Sequence, residues 1–296
     1  MTPQQKEKNT IPYLSYAAKL KTSLLFGLFF MGITGGILFL SYTEIALLDA
    51  STQRASVLET KNNAKNQIQK KEQVAFPEVA LNAKAAIVYD AKNDEVLFEK
   101  NAHTQLPLAS ITKLMTALVA TKAVPNEEVN IVIPAESFLV EGTSSLKWGE
   151  RWPFTSLREM SLQASVNHAA EALSLALSYR FLKDERYKNA FIAEMNRETK
   201  VLGLSQTYFL NATGLDESET ISGAYGSARD IAHLMTHILK TKPAILSNTR
   251  NVKVSIPGPN GNIYIENTNE FVGNIPGLIA SKTGFSDLAG GNLVVA

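Results

Sequence analysis

Between Thr22 and Thr43 the chain carries no charged side chain, reading TSLLFGLFFMGITGGILFLSYT. No other feature restricts so strongly what the amino-terminal region can become. As a helix these 22 residues extend about 33 Å at about 1.5 Å each. That is enough to cross a bilayer core of about 30 Å. Lys6, Lys8, Lys19 and Lys21 precede the run with only Glu7 against them, and Glu44 and Asp49 follow it. The positive-inside rule then puts the amino terminus in the cytoplasm and everything after Thr43 outside. A cleaved signal peptide would have an apolar core of about 7–15 residues and a small-residue cleavage site. This run is longer and no clear Ala-x-Ala follows it, so the expectation is an uncleaved, single-pass anchor. The Gly32 and Gly36 pair in so glycine-rich a span is read as composition rather than as a dimer motif.

The rest divides by composition. Residues 1–21 are a cytoplasmic tail and 22–43 the anchor. Residues 44–75 are rich in Lys, Asn and Gln in their second half and read as a polar stalk. A globular domain is expected over 76–296. The whole chain has 29 basic and 28 acidic side chains, a formal charge of +1, which argues against a nucleic-acid partner. It has no cysteine, which excludes disulfides, thiolate nucleophiles and cysteine metal sites.

Two apolar runs, Ala85–Tyr89 and Val96–Phe98, flank DAKND and predict a hairpin. A helix is expected to start near Ser110, with Ile111, Leu114, Met115, Leu118 and Val119 at helical spacing. VNIVIPAES suggests a short strand. Two helical stretches follow, with a break near Ser165. A further helix ends near Gly203, and another has Ser227 as N-cap with Asp230 three residues on. NIYIENTNEF, GLIASKTGF and GGNLVVA read as closing strands. Strands at both ends and helices between them predict an α+β fold, an antiparallel sheet built from both chain ends with a helical insert.

Ser-x-x-Lys occurs twice, at Ser110–Lys113 and at Ser144–Lys147. The first opens a long apolar helix, where residues three apart share a face and free backbone N–H groups suit an oxyanion. The second lies in a glycine-flanked loop and is the bland one. A serine hydroxyl needs a base. None of His103, His168, His233 and His237 stands in a triad context, and His233 and His237 have no Glu placed as in a zinc helix. Lys113 is therefore the candidate base, provided that burial or a second cation lowers its pKa. Lys282, in ASKTGF, is such a cation. Thr283 and Lys282 are candidates for holding a carboxylate, and Gly284 lets a substrate backbone approach. Between the two motifs, ASVNHAA offers Ser165 as a proton relay and Asn167 as an amide partner.

Ser-x-x-Lys, then Ser-x-Asn, then Lys-Thr-Gly, in that order, resembles the penicillin-recognising serine enzymes. AAIVYDAKNDEVLFEKNAHTQLPLASITKLMTAL, FIAEMNRETKVLGLSQTYFLNATGLD, GSARDIAHL, NTN and GLIASKTGFSDLAGGNLVV are similar to the D-alanyl-D-alanine carboxypeptidases, the low-molecular-mass penicillin-binding proteins. The resemblance implies a bacterial cytoplasmic-membrane enzyme of the β-lactamase/penicillin-binding-protein-like fold. Its domain would face the cell wall and act on peptidoglycan stem peptides ending in D-Ala-D-Ala, with no metal or organic cofactor. Ser110 would form the acyl-enzyme and Lys113 would be its base. Ser165 and Lys282 would pass a proton to the leaving amine, and the N–H groups of Ser110 and Phe285 would form the oxyanion hole. Asn167, Thr283 and Lys282 would hold the peptide. β-Lactams would acylate Ser110.

Two departures stand against the family pattern. Val166 and His168 replace the small residue and the acid that commonly follow in Ser-Gly-Asn-Asp or Ser-Ser-Asn-Asp. The family also continues beyond the strand in which this chain stops at Ala296, so the last strand and helix are expected to be missing and a sheet edge unpaired. A class A β-lactamase is the nearest rival enzyme, but ETKVLGL lacks its Glu-x-x-Leu-Asn loop. A D,D-endopeptidase and a non-catalytic wall-binding homologue remain alternatives.

Overall fold

A computed structural model of the chain describes Glu59, residues 80–181 and residues 189–296. The chain divides into two compact units, Met1–Ala75 and Phe76–Ala296, and all elements below belong to the second. Apart from Glu59, the expected tail, anchor and stalk lie outside the described residues. Among the described residues no helix is long and apolar enough to cross a membrane.

Asp90 shapes the first turn. Its carboxylate accepts hydrogen bonds from the backbone N–H of Lys92 and Asn93, an Asx arrangement that reverses the chain. It joins β1 (Ala86–Asp90) to β2 (Glu95–Lys100) as an antiparallel hairpin; β1 lies one residue further along than the apolar run indicates, and β2 extends beyond its run at both ends. Next come β3 (Leu106–Pro107), a 3₁₀ turn (Ala109–Thr112) and α1 (Lys113–Ala123). The sequence pattern placed the helix start near Ser110; the α-helix proper begins at Lys113, and Ser110 sits in the tighter turn before it.

Helix α1 also differs from a one-sided amphipathic helix. Every residue from Lys113 to Thr121 is buried, because α1 packs against α2 (Phe154–Gln163), α3 (Asn167–Phe181), α4 (Ala190–Val201) and α5 (Ala228–Thr241). A helix enclosed by others has no solvent face to keep polar. Small residues such as Ala117 and Ala120 admit the neighbouring helices. Buried leucines such as Leu114 and Leu118 each contribute about 1.5–3 kcal/mol by leaving water. Ser227 caps α5 as expected, its hydroxyl accepting from Asp230 N at 3.1 Å.

Short strands frame the helices. β4 (Asn130–Val132) pairs with β5 (Arg151–Pro153), and β7 (Ala224–Gly226) lies between β3 and β6 (Tyr208–Phe209). β8 (Lys253–Gly258) and β9 (Gly261–Glu266) form a hairpin, and so do β10 (Ser281–Ser286) and β11 (Gly290–Val295). The sheet expected from the two chain ends is present as two separate antiparallel ladders, β1–β2 and β10–β11. Among the described residues no strand lies between them to join their hydrogen bonds, and both pack against α5. Several strands had no clear sequence signal. β8 carries a proline at Pro257, and β3, β5, β6 and β7 have at most three residues each, too few for an alternation to register.

Candidate active site

The two Ser-x-x-Lys motifs have different fates. In the first, Lys113 is 0% exposed and its Nζ lies 2.7 Å from Ser110 Oγ. In the second, Lys147 is exposed, and Ser144 Oγ meets His168 Nδ1 at 2.8 Å instead.

Lys113 Nζ has two further partners, Asn167 Oδ1 at 2.8 Å and the Thr213 carbonyl at 2.8 Å. Both are acceptors only. The orientation of the Asn167 amide follows from its other end, where Nδ2 donates to the Glu141 carbonyl at 2.9 Å. A neutral amine has two N–H bonds and one lone pair. The two carbonyl-type oxygens take the N–H bonds and leave the lone pair facing the Ser110 hydroxyl. Burial lowers the Lys113 pKa well below its ordinary value, and the nearby Lys282 cation lowers it further. The neutral, proton-accepting form is the one that this site favours.

Lys282 is 1% exposed. Its Nζ donates to Ser165 Oγ at 3.0 Å and to the Thr283 carbonyl at 2.7 Å, and burial lowers its pKa to about 7. The pH dependence of stability follows with its sign. The unfolded chain holds this proton up to about pH 10.5, whereas the folded site releases it above about pH 7. Between those values the unfolded chain binds more protons, so stability rises with pH through that window. The penalty is fully present below about pH 7 and is on the order of 5 kcal/mol. Denaturant midpoints taken from pH 7 to 10 are expected to rise, and to rise less steeply in Lys282→Met. Equal slopes in the two proteins would mean that Lys282 keeps its proton.

Backbone geometry holds these groups in place. Ala109 and Ser165, each beside or at a candidate catalytic hydroxyl, have φ of +47° and +56°, in a region that costs non-glycine residues of order 1 kcal/mol or more. Gly214 (φ +79°) touches the Ser110 turn from behind: a Cβ on it would lie 1.9 Å from the Ala109 carbonyl oxygen. Gly284 of β10 passes the turn in front, where a Cβ would lie 2.9 Å from Ser110 N. That close pass brings the Ser110 N–H beside the strand that carries Phe285.

Thus the fold brings Ser110, Lys113, Ser165, Asn167, Lys282 and Gly284 together. Thr283 is half-buried and Phe285 is 73% exposed. Lys282 differs from the expectation that its ammonium would hold a carboxylate directly, since its Nζ is turned inward to Ser165 and Thr283 O. The departures from the family pattern also have a visible place. Val166 packs against the core, and His168 anchors the loop that leads into β5, its Nε2 lying 3.2 Å from the Val140 carbonyl.

The sequence pattern gave no role to the residues of the loop after β6. Asn211 Oδ1 accepts from Thr213 N, Thr213 Oγ1 and Gly214 N, while its Nδ2 donates to Leu215 O. This folds the loop so that the Thr213 carbonyl points at Lys113. The available signal was the turn chemistry of Asn-Ala-Thr-Gly. Asp216, just beyond, accepts from Ser286 Oγ at 3.0 Å and Leu288 N at 3.2 Å, tying the same loop to the β10–β11 turn.

Residues 69–296 match the peptidase S11 family model, described as D-alanyl-D-alanine carboxypeptidase. A D-alanyl-D-alanine endopeptidase of Pseudomonas aeruginosa is 31% identical over 217 residues, covering 71% of this chain and 66% of that protein. A D-alanyl-D-alanine carboxypeptidase of Bacillus subtilis is 28% identical over 214 residues, covering 71% and 52%. The match thus spans between about half and two thirds of these curated relatives. Penicillin-binding protein D2 of Listeria monocytogenes, solved in its ampicillin-bound form, is similar at 32% identity with a TM-score of 0.60, covering 73% of this chain and 84% of that one. The likeness carries the α+β architecture of the transpeptidase-like fold.

Proposed function

Since the chain belongs to the peptidase S11 family of D-alanyl-D-alanine carboxypeptidases, we propose that it is a serine hydrolase acting on peptidoglycan stem peptides ending in D-Ala-D-Ala. The observation that carries this reading is Lys113 Nζ, 2.7 Å from Ser110 Oγ, with its other two partners able only to accept. Ser110 Oγ attacks the carbonyl between the two D-alanines and its proton passes to Lys113. The N–H groups of Ser110 and Phe285 receive the oxyanion, at about 3–4 kcal/mol per donor. Ser165, backed by Lys282, delivers a proton to the departing amine. The last D-Ala leaves, and water then hydrolyses the ester on Ser110. Asn167 lies beside this path and Thr283 meets the substrate carboxylate. A β-lactam opens on Ser110 in the same way but leaves no second product to depart, so the adduct persists.

A D,D-endopeptidase activity is the second reading. The Pseudomonas aeruginosa and Haemophilus influenzae endopeptidases are 31% and 33% identical, against 28% and 29% for the Bacillus subtilis and Escherichia coli K12 carboxypeptidases. We also propose that residues 22–43 anchor the chain in the bacterial cytoplasmic membrane with the domain outside. The uncharged run and its basic amino-terminal flank support that arrangement.

The test is to incubate the full chain, in detergent, with a fluorescent penicillin and to locate the label by mass spectrometry. Label is expected on Ser110, absent in Ser110→Ala and retained in Ser144→Ala. A folded parent that takes no label would instead favour a non-catalytic wall-binding role. Rapid loss of label would favour a β-lactamase. Released D-Ala from a pentapeptide, against cleavage of a cross-linked dimer, separates the two peptidase readings.

A further inference from the structure

We propose that Thr268 is a second carboxylate-binding residue, forming with Thr283 a two-hydroxyl cradle for the terminal carboxylate of the substrate. This rests on the reading of the site just given. It begins from an unfilled role: Lys282, whose charge suits a carboxylate, has its Nζ turned inward to Ser165 Oγ and the Thr283 carbonyl and is 1% exposed. It lends the region its field, but the direct contacts must come from groups at the surface above it.

Thr283 Oγ1 is one such group. The other is Thr268 Oγ1, 2.5 Å from it. Thr283 is half-buried and Thr268 exposed, so water reaches both, and neither hydroxyl needs the other to be satisfied. At rest one hydroxyl donates to the other, and one O–H remains to donate outward. When an anion arrives, each hydroxyl can turn its proton to one oxygen, because hydroxyl protons rotate freely. Two neighbouring donors match the two oxygens of a carboxylate, and hydrogen bonds to a charged acceptor are the stronger kind.

Hydrogen bonds hold the backbone around Thr268 in place. Its N–H donates at 3.1 Å to the carbonyl of Gln163, two residues before Ser165. The preceding Asn267 donates through Nδ2 to the carbonyls of Thr249 at 2.8 Å and Asn251 at 3.1 Å, and its Oδ1 accepts from Asn269 N at 2.9 Å. Thr268 is thereby fixed to the segment that carries Ser165 and, through Thr249, whose Oγ1 accepts from Ser281 N at 3.2 Å and whose carbonyl accepts from Ser281 Oγ at 3.0 Å, to the strand that carries Lys282 and Thr283. A side chain serving only to cover surface needs no such registration with two parts of the site.

The experiment compares kcat/KM for a diacetylated Lys-D-Ala-D-Ala peptide and for the same peptide with its terminal carboxyl amidated. It uses the full chain in detergent and the variants Thr268→Val, Thr268→Ser and Thr283→Val. In Thr268→Val the free-acid peptide is expected to lose about 10–100-fold, the range for a lost hydrogen bond to a charged group, mostly in KM. The amidated peptide is expected to change little, and Thr268→Ser to restore the free-acid rate. Loss on both peptides alike, or no loss, would overturn the assignment. Thr283→Val separates the two layers. If it discriminates between the peptides and Thr268→Val does not, only the role of Thr268 fails. If neither discriminates, the carboxylate site itself is misplaced, and a parent inert to both peptides would overturn the peptidase reading with it.

Discussion

Replacing Lys113 with methionine is expected to slow acylation of Ser110 by a β-lactam by about 10²–10⁴-fold, the usual contribution of a positioned general base. The same change is expected to leave the protein no easier to unfold at pH 7. Methionine fills much of the same volume and removes an amine that must shed its proton to be buried. Against that gain stand two acceptors, Asn167 Oδ1 and Thr213 O, that lose a donor. Stopped-flow acylation and thermal melts at pH 7 and pH 9 measure both effects. The stability of the parent should climb from pH 7 to 9 more than that of the variant, because burial lowers the Lys113 pKa in the folded state and the unfolded chain therefore holds that proton to higher pH. Acylation within tenfold of the parent rate would remove Lys113 from the role of base.

Gly214→Ala is expected to weaken both fold and chemistry, for a reason independent of charge. The added Cβ would lie 1.9 Å from the Ala109 carbonyl and 2.6 Å from Thr112 Oγ1, so either the Ser110 turn or the 211–215 loop must move. A displacement near 1 Å is enough to cost about 100-fold in rate, and a clash of this kind costs about 2–5 kcal/mol of stability. Gly149→Ala is the comparison. Gly149 has a similar φ of +76° with nothing within 4 Å of an added Cβ, so it carries the conformational cost alone, about 1 kcal/mol. If both variants lose the same stability and acylate at the same rate, the contact behind Ser110 has no bearing on catalysis.

The parts of the site that were legible in the sequence are those whose chemistry is carried by side chains in close succession. Ser110 and Lys113 are one helical turn apart, and Lys282, Thr283 and Gly284 are adjacent, so composition and spacing reveal them. The order of the motifs along the chain revealed the family, and the helix break at Ser165 was visible because Ser-Val-Asn interrupts two apolar periods. What escaped was carried by the backbone. The carbonyls of Thr213 and Glu141 hold Lys113 and Asn167, and any residue has a carbonyl, so no residue type announces it. The enclosure of α1 escaped for a related reason, since one face of a helix reads the same whether or not others cover the rest. The strand β8 was hidden by Pro257, which sits opposite Asn262 in a two-stranded ladder, where a missing N–H is tolerated.

Lys113 Nζ draws its partners from positions 110, 167 and 213, and Lys282 draws one from 165. The reacting groups come from three stretches of chain, near positions 110, 165 and 282, separated by more than 50 residues each. Contacts of such sequence separation form late and slowly when a chain organises itself, because long loops must close before anything rewards the closure. If Ser110 is acylated by penicillin as proposed, that adduct would serve as a stopwatch. Molecules diluted out of denaturant should acquire helical circular dichroism before they acquire the ability to be labelled, and the lag between the two signals measures how long the last loop takes to dock.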